Sequence, residues 1–289
     1  MPRSSRAIAS ACAAYAIWGV YPLYFHRLQH VPALQVLAHR VVWSLPLVLG
    51  VLAWRDGRHL VASLRRMPPA LAHLGAAAAL LVGHWGVNVW ALTHGHVVDA
   101  SLGYFINPLL SVGLAAAVLG EPLRKRQAVA IMLAAAGVVW MGFALGAAPW
   151  IALALAASFA GYGLLRKTAP LGVADGLFLE MALAFPLAAA YLATHGGTFA
   201  ASSWSQRGLL AAAGPLTVAP LLLFALSARG IPLATLGMLQ YITPTLLLLL
   251  GVALYQERFD ARHGIGFALV WLGIALYLGE RRAEKPVAP

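Results

Sequence analysis

Long apolar stretches, separated by short polar connections, dominate this chain. Of its 289 residues, 61% are hydrophobic and 10% are charged, whereas a soluble domain carries roughly 25% charged residues. A helix needs about 17–25 apolar residues to cross a bilayer. The pattern predicts an all-α membrane protein with ten transmembrane helices, at residues 7–25, 34–54, 70–92, 99–119, 126–144, 149–165, 175–194, 206–228, 233–254 and 262–279.

The net charge of +11 is concentrated in the connections between these stretches. If the N terminus lies inside, fifteen Lys and Arg residues fall in inner segments and four in outer segments. Because basic residues accumulate in cytoplasmic loops, the bias predicts a multi-pass protein of the inner (plasma) membrane with both termini cytoplasmic. The basic residues are then explained by topology, and no nucleic-acid partner is expected.

The chain repeats part of itself after 136 residues. The matching pairs are Pro108 and Pro244, Glu121 and Glu257, Arg126 and Arg262, and Gly137 and Gly273. Chance alignment of two Leu- and Ala-rich helices does not supply matching Pro, Glu, Arg and Gly residues. The pattern therefore indicates two five-helix repeats, at residues 7–144 and 149–279, followed by a cytoplasmic tail at residues 280–289. The two paired glycines are expected to let their helices pack closely.

Five spans is an odd number, so the second repeat is expected to enter the membrane in the opposite sense to the first. The loops agree, because residues 121–126 carry net positive charge and their counterparts at 257–262 do not. Transporters built from inverted repeats hold their substrate near the bilayer midplane, between the halves. The sequence therefore favours a transporter.

Several motifs resemble the RarD type of EamA-domain transporter over roughly residues 10 to 280. They are YAIWGVYPLYF at 15–25, AHRVVWS at 38–44, SLGYFINPL at 101–109, YGLLRK at 162–167, GPLT at 214–217 and LGMLQYITP at 236–244. The resemblance implies membership of the drug/metabolite transporter superfamily, with ten helices in two inverted EamA repeats. In one departure, Gln35 stands where the family pattern leads us to expect glutamate, which weakens any scheme with a proton carrier there.

Arg40 is predicted to lie about 9 Å below the outer surface, at 1.5 Å per residue of helix. A charged group in hydrocarbon costs about 2.5–3.5 kcal/mol on insertion scales, so it needs a reason to be there. The guanidinium is suited to bidentate binding of a substrate carboxylate. The alternative is a structural role, in which Arg40 reaches the interface or caps a neighbour's carbonyls.

Other polar or aromatic side chains are expected at a similar depth. They are His84, Trp85 and Asn88 in the third span and Tyr104 and Asn107 in the fourth. His84 and Asn88 are one helical turn apart and share a face. We interpret the set, with Arg40, as the wall of a substrate cavity, although hydrogen bonds between helices are the competing explanation.

The second half carries its own candidates at mid-depth or in the inner half. Tyr162, Glu180, Gln240 and Tyr241 are predicted to line the cavity from that side. Glu180 is the acid placed well inside a span, where it either carries a coupling proton or pairs with Arg166 or Lys167. Pro108 and Pro244 each remove a backbone hydrogen bond and bend a helix, so we predict that both act in gating.

Motifs for other chemistry are missing from the sequence. It has no GxxxxGK[ST], HExxH or GxSxG motif, and therefore no sign of ATP hydrolysis, a zinc protease or a serine hydrolase. Its single cysteine, Cys12, cannot form an internal disulfide. We expect no cofactor, no metal site and no enzyme, but a permease that exports small amphipathic metabolites or drugs by alternating access. Membrane lipid is an expected partner, and a lipid flippase or a passive uniporter remains the alternative.

Overall fold

The computed structural model describes residues 3–55, 57–94, 96–145, 149–195, 199, 202–253 and 261–282, in which every regular element is a helix. The helices are α1 (Arg3–Gly19), α2 (Tyr21–His26), α3 (Ala33–Arg55), α4 (Gly57–Thr93), α5 (Val97–Leu119), α6 (Lys125–Leu145), α7 (Pro149–Thr168), α8 (Val173–His195), α9 (Trp204–Gly230), α10 (Leu233–Leu239), α11 (Ile242–Ala253) and α12 (Ala261–Arg282). Glu257 and most of the predicted tail, residues 283–289, lie outside the described ranges.

The helical class predicted from the sequence is confirmed. Within the described ranges, eight stretches are long and apolar enough to cross a membrane, and each coincides with a predicted span. The sixth predicted span is helical as well, and α7 continues through Gly161 and Gly163 to Thr168. The last predicted span contains a shorter apolar stretch, Gly264–Tyr277. In hydrocarbon, helices satisfy every backbone group internally, which explains why these runs become helices.

Two of the predicted spans are interrupted rather than continuous. The first breaks between α1 and α2 at Val20, two residues before Pro22. The ninth breaks between α10 and α11 at Gln240 and Tyr241, just before Pro244. Proline has no N–H and its ring crowds the carbonyl four residues earlier, so a helix ends or bends just before it. The bend expected at Pro244 thus takes the form of a break in the helix within the span at 233–254, and the span at 7–25 has a similar break before Pro22.

Pro108 does not interrupt its helix, because α5 is continuous from Val97 to Leu119. The two prolines predicted to be equivalent thus have different local structures. The gating role predicted for both remains a prediction.

Most of the packing joins the first half of the chain to the second. Helix α5 packs against α7, α3 against α8 and α9, α1 against α9, α4 against α7, and α6 against α12. The core therefore lies between the halves rather than within either one.

The contact between α6 and α12 is reciprocal. A Cβ on Gly137 would lie 2.7 Å from the carbonyl oxygen of Gly266, and a Cβ on Gly273 would lie 2.5 Å from that of Ala130. Since Ala130 and Gly266 are also 136 residues apart, each contact is the counterpart of the other. The pairing requires α6 and α12 to run antiparallel, and it confirms that the two glycines permit close packing.

A second contact relates α5 to the helix that follows Pro232. Tyr241 donates a hydrogen bond of 3.1 Å to the carbonyl oxygen of Phe105, which is 136 residues away. A Cβ on Gly237 would lie 2.9 Å from the carbonyl oxygen of Pro108. These two contacts show that α5 and α10 also run antiparallel.

Candidate functional site

Polar side chains gather near two ends of the bundle. We call them the Arg40 end, where α3 and α5 begin, and the Glu121 end, where α5 ends and α8 begins. Helices α4 and α7 run antiparallel between these ends: His84 contacts Leu155, and His73 contacts Leu165. Eleven residues of α4 separate the two histidines, or about 16 Å along the helix axis.

Arg40 is held in place by contacts from three other helices. Its Nε–H donates a 3.0 Å hydrogen bond to the hydroxyl of Thr217 in α9, and that hydroxyl donates in turn to the carbonyl of Ala213 at 2.8 Å. The carbon at the centre of the guanidinium lies 4.5 Å from the centre of the Trp85 ring and 5.7 Å from that of Tyr21. Such cation–π contacts favour a fixed orientation of the guanidinium.

The neighbours of Trp85 on α4 extend this polar region. His84 is buried, and its Nδ1 lies 3.1 Å from the carbonyl oxygen of Leu155 and 3.2 Å from the hydroxyl of Ser158. One turn further along, the Asn88 amide donates a 2.8 Å hydrogen bond to the Tyr104 hydroxyl.

These groups belong to one cluster. Trp85, whose ring lies over the Arg40 guanidinium, is next to His84 on α4 and less than one helical turn from Asn88, which binds Tyr104. We call Arg40, His84, Trp85, Asn88, Tyr104 and Thr217 the Arg40 cluster. The structure thus brings together five of the side chains predicted to line a cavity.

An aromatic group lies between the Arg40 cluster and the Glu121 end. Phe159 contacts His84 on one side, with ring centres 5.2 Å apart, and Tyr162 on the other, at 5.8 Å. Phe224 packs on both Phe159 and Tyr162, and Trp18 packs on Phe159 and Phe224. We call Trp18, Phe159, Tyr162 and Phe224 the aromatic plug, because their packed rings fill the space between the two polar regions.

A fully buried ion pair lies beyond the plug. Arg166 donates a 2.9 Å hydrogen bond to one carboxylate oxygen of Glu180, and Tyr162 donates a 3.1 Å bond to the other. Arg166 also donates to the carbonyl of Val173 at 2.9 Å. Both charged side chains have 0% exposure. Of the two roles considered for Glu180, the structure shows the pairing with Arg166, and it places Tyr162 and Glu180 in this group rather than beside Arg40.

A second set of charge contacts closes the Glu121 end. Helix α5 ends at Leu119 and is capped by Gly120, whose φ of 62° is left-handed and easily adopted by glycine. Glu121 follows the cap. The two oxygens of its carboxylate accept hydrogen bonds from the backbone N–H groups of Leu233 (2.8 Å) and Ala234 (3.1 Å) at the start of α10. A carboxylate is favourable at a helix N terminus because it satisfies unpaired N–H groups and meets the positive end of the helix dipole.

Lys167 completes this closure. Its Nζ lies 3.5 Å from Glu121 and donates to the carbonyls of Ala228 (3.2 Å) and Ile231 (2.8 Å). We call Glu121, Lys167 and the N–H groups of Leu233 and Ala234 the Glu121 latch. The latch ties the end of α5 to α7 and to the connection between α9 and α10.

The remaining predicted site residues lie along the contact between α5 and the interrupted helix. Asn107 is buried and accepts a 3.2 Å hydrogen bond from Ser111. Gln240 is buried at the break between α10 and α11, next to Tyr241, whose hydroxyl bonds to Phe105. No contact links these three residues to the Arg40 cluster among the interactions found within the described ranges.

A lateral cavity of about 180 Å³ adjoins Trp85 at the Arg40 end. Its walls are apolar and come from three helices: α3 supplies Leu37 and Val41, α4 supplies Val82, and α8 supplies Leu187 and Tyr191. We call this cavity the Trp85 groove. Elsewhere in the described ranges, no group of three or more His, Cys, Asp or Glu side chains is arranged to hold a metal ion.

Sequence reasoning missed two parts of the arrangement. Thr217 was noted only as a polar residue at mid-depth in the second half, and its pairing with Arg40 depends on how α9 packs against α3. Phe159 and Phe224 had no polar character to distinguish them from core residues, so their part in the aromatic plug depends on three-dimensional placement.

Comparison with known proteins agrees with this architecture. A model of the EamA-like transporter family matches residues 5–143. The chain is 41% identical to an uncharacterized transporter of Pseudomonas aeruginosa, over 91% of this chain and 90% of that protein. It is 38% identical to the protein RarD of Escherichia coli, over 98% and 99%. A solved crystal structure with 23% sequence identity superposes with a TM-score of 0.73, over 97% of this chain and 99% of that chain, and so supports the fold.

Proposed function

Because this chain belongs to the RarD type of the EamA-like transporter family, we propose that it exports small amphipathic metabolites or drugs across the inner membrane. In this proposal it works as a secondary transporter by alternating access, with both termini in the cytoplasm. The Arg40 end then faces outward and the Glu121 end faces the cytoplasm. This orientation agrees with the excess of basic residues in the segments assigned to the cytoplasmic side.

Two inverted five-helix repeats are the first part of the proposal. The reciprocal contacts of α6 with α12, and the antiparallel pairing of α5 with α10, support it. Counterparts related by a two-fold axis in the membrane plane run antiparallel, and residues near the axis meet their own counterparts. Phe105 and Tyr241 are such a pair.

The Arg40 cluster is the proposed substrate site. It is the strongest support for the proposed transport function. It combines a fixed guanidinium, an imidazole, an amide and a phenol in an otherwise apolar bundle, at the junction of helices from both halves. Binding sites for small molecules typically combine apolar walls with a few well-placed polar groups.

The aromatic plug and the Glu121 latch are proposed to close the path from this site to the cytoplasm. Opening would separate Glu121 from α10. It would also move α7 away from α9, because Lys167 in α7 contacts both Glu121 and the end of α9. The weak points that Pro108 and Pro244 introduce into α5 and α11 are the proposed bending positions. Substrate would then leave the cytoplasm through the open latch and be released at the Arg40 end.

Counterflow in proteoliposomes tests the proposal. Vesicles loaded with a metabolite mixture should take up labelled substrate with saturable kinetics, and Arg40→Ala and His84→Ala should each reduce this uptake. If both variants transported as well as the parent protein, the Arg40 cluster would not be the site. Tags at the two termini should react from the same side of the membrane, and reaction from opposite sides would contradict the proposed topology.

A lipid flippase is a second candidate because the Trp85 groove has apolar walls from three membrane helices. The two functions differ in cargo. Headgroup-labelled lipid that crosses liposomes only when the protein is present would favour the flippase, whereas counterflow of a water-soluble solute would favour the permease.

A further inference from the structure

We propose that the Arg40 cluster selects amphipathic monocarboxylates, with the carboxylate bound to Arg40 and the apolar part in the Trp85 groove. This inference rests on the proposed transport function and specifies the class of substrate for the same site. It depends on the balance of charge, the orientation of the guanidinium and the size of the groove.

Among the described side chains, no carboxylate balances the charge of Arg40. The ion pairs within the described ranges join Arg166 to Glu180 and Lys167 to Glu121, both toward the Glu121 end. The partners of Arg40 are a hydroxyl and two aromatic rings, which are all neutral. A charge in a low-dielectric interior is unfavourable without a counter-charge, so an anion gains more from this site than a neutral molecule of the same shape.

The hydrogen bond that ties Arg40 to Thr217 uses the Nε–H rather than the Nη groups of the guanidinium. Thr217 takes the Nε–H, and the Trp85 ring covers one face. The edge that carries the two Nη atoms is held in a fixed plane by these contacts. Two parallel N–H groups on this edge match the spacing of the two oxygens of a carboxylate.

The Trp85 groove gives the size and polarity of the rest of the ligand. Trp85 contacts Arg40 and also forms part of the groove wall, so it joins the cationic and apolar parts. The groove has a volume of about 180 Å³, which suits a group near the size of benzene. Benzene occupies an apolar cavity of about 150 Å³ in an engineered protein. One aromatic ring or short branched chain therefore fits.

A ligand with a single negative charge matches the Arg40 cluster best. Arg40 is the one cation that hydrogen-bonds to or stacks on members of the cluster among the described residues. A dianion such as a phosphate monoester would carry a second charge without a partner, and an organic cation would be repelled. The site therefore favours a monoanion over both.

A matched set of probes tests this assignment in the purified full-length protein. 3-Phenylpropionate carries the ring and the charge, 3-phenylpropionamide has the same shape without charge, and propionate has the charge without the ring. We expect calorimetry to show that 3-phenylpropionate binds at least about tenfold more tightly than either of the others.

Variants of the cluster separate the two parts of the site. Arg40→Gln should bring the affinities for 3-phenylpropionate and its amide together, and Arg40→Lys should restore part of the difference because it keeps the charge without the planar fork. Leu187→Trp should fill the groove and weaken 3-phenylpropionate binding more than propionate binding. Thermal unfolding and gel filtration of each variant identify losses that are due to misfolding.

A second Arg–Trp pair supplies the control. Arg207 lies 4.9 Å from the ring of Trp204 and donates its Nε–H to the carbonyl of Ser202 at 3.0 Å. Its geometry resembles that of Arg40, but it lies at the exposed start of α9. Arg207→Gln should leave the preference for the carboxylate intact.

The outcomes distinguish this inference from the transport function on which it rests. Equal affinity for the acid and the amide, or a preference that survives Arg40→Gln, would overturn the monocarboxylate site. Saturable counterflow of the amide at the same rate as the acid would overturn the site but support transport. Selective binding of the acid without counterflow of any probe would support the site and overturn transport.

Discussion

Arg40 and Glu180 occupy matching places in two helices of equal length, but their surroundings differ. Helices α3 and α8 each have 23 residues, with the charged residue seven positions after the first and a proline, Pro46 or Pro186, six positions later. Glu180 is fully buried, and both of its oxygens accept hydrogen bonds. Arg40 is half-buried, with a hydroxyl and two rings for partners.

This difference favours a structural role for the charge of Glu180, and it is the basis of the binding role proposed for Arg40. The partners of Glu180 belong to the protein and hold α7 against α8, so its charge contributes to the fold. The described partners of Arg40 fix its orientation without neutralising it, as the proposed binding of an anion requires. Substitution of Glu180 should therefore lower the stability of the protein, whereas substitution of Arg40 should lower transport.

The largest expected effect is the loss of stability on removing Glu180. Glu180→Leu leaves Arg166 buried without its counter-charge, and breaking such a pair from one side costs about 3–5 kcal/mol. Thermal unfolding in detergent should show the loss. The double variant Arg166→Met, Glu180→Leu should recover most of it, because no charge is then left unpaired. A single variant as stable as the parent protein would mean that the pair has no structural role.

Arg40→Met should show the opposite pattern. Removing a charged hydrogen-bonding partner costs about 1.5–3 kcal/mol, so substrate flux should fall by about 10- to 100-fold. The melting temperature should fall little or rise, since an unbalanced charge leaves the membrane interior. Proteoliposome flux and thermal unfolding measure the two effects on the same preparation. A loss of stability as large as that of Glu180→Leu would end the distinction between the two charges.

Glu121→Gln should open the Glu121 end more often. The amide keeps one acceptor but loses the charge and the second acceptor, and at about 1.5 kcal/mol or more for the lost charged hydrogen bond the open population should rise at least about tenfold. With Cys12→Ser and Ala234→Cys in place, the alkylation rate of the new cysteine measures this opening. Lys125→Gln, which removes an exposed charge near the same end, is the control. Equal rates in the parent and Glu121→Gln proteins would show that the latch does not limit access.

Thr217→Val should produce the smallest of these effects. The valine fills the same volume but cannot accept the Nε–H of Arg40, so the guanidinium loses one positioning contact. A hydrogen bond between membrane helices is worth under about 1 kcal/mol on average, so KM should rise a few-fold with little change in kcat. A fall in kcat at unchanged KM would argue against a positioning role.

The sequence was enough to predict the helices and the bend at Pro244, but not that the helix containing Pro108 stays continuous. Apolar length alone decides where a helix crosses a membrane, and the predicted spans match for this reason. Pro108 and Pro244 have the same chemistry and matching positions, yet α5 is continuous and the helix before Pro244 is broken. Packing around each proline decides this difference, and one sequence does not contain that information.

The candidate site was only partly predictable, for a related reason. Helical spacing and depth were enough to group His84, Asn88 and Tyr104 with Arg40. Depth alone also suggested that Tyr162 and Glu180 belong to the same cavity, but the structure places them beyond Phe159 and Phe224. Position along a helix gives the height of a residue in the membrane, whereas the neighbours across the helix interface depend on how the helices rotate and pack.

The dominance of packing between the two halves has a consequence for how the protein is made. The main partners of α1, α3, α4, α5 and α6 are encoded in the second half of the gene. These helices enter the lipid while the ribosome is still translating, before the surfaces that cover them exist. Until the second half is made, Arg40 and Gly137 therefore lack their partners Thr217 and Gly266. The close packing of α6 thus depends on α12, a helix of the other half.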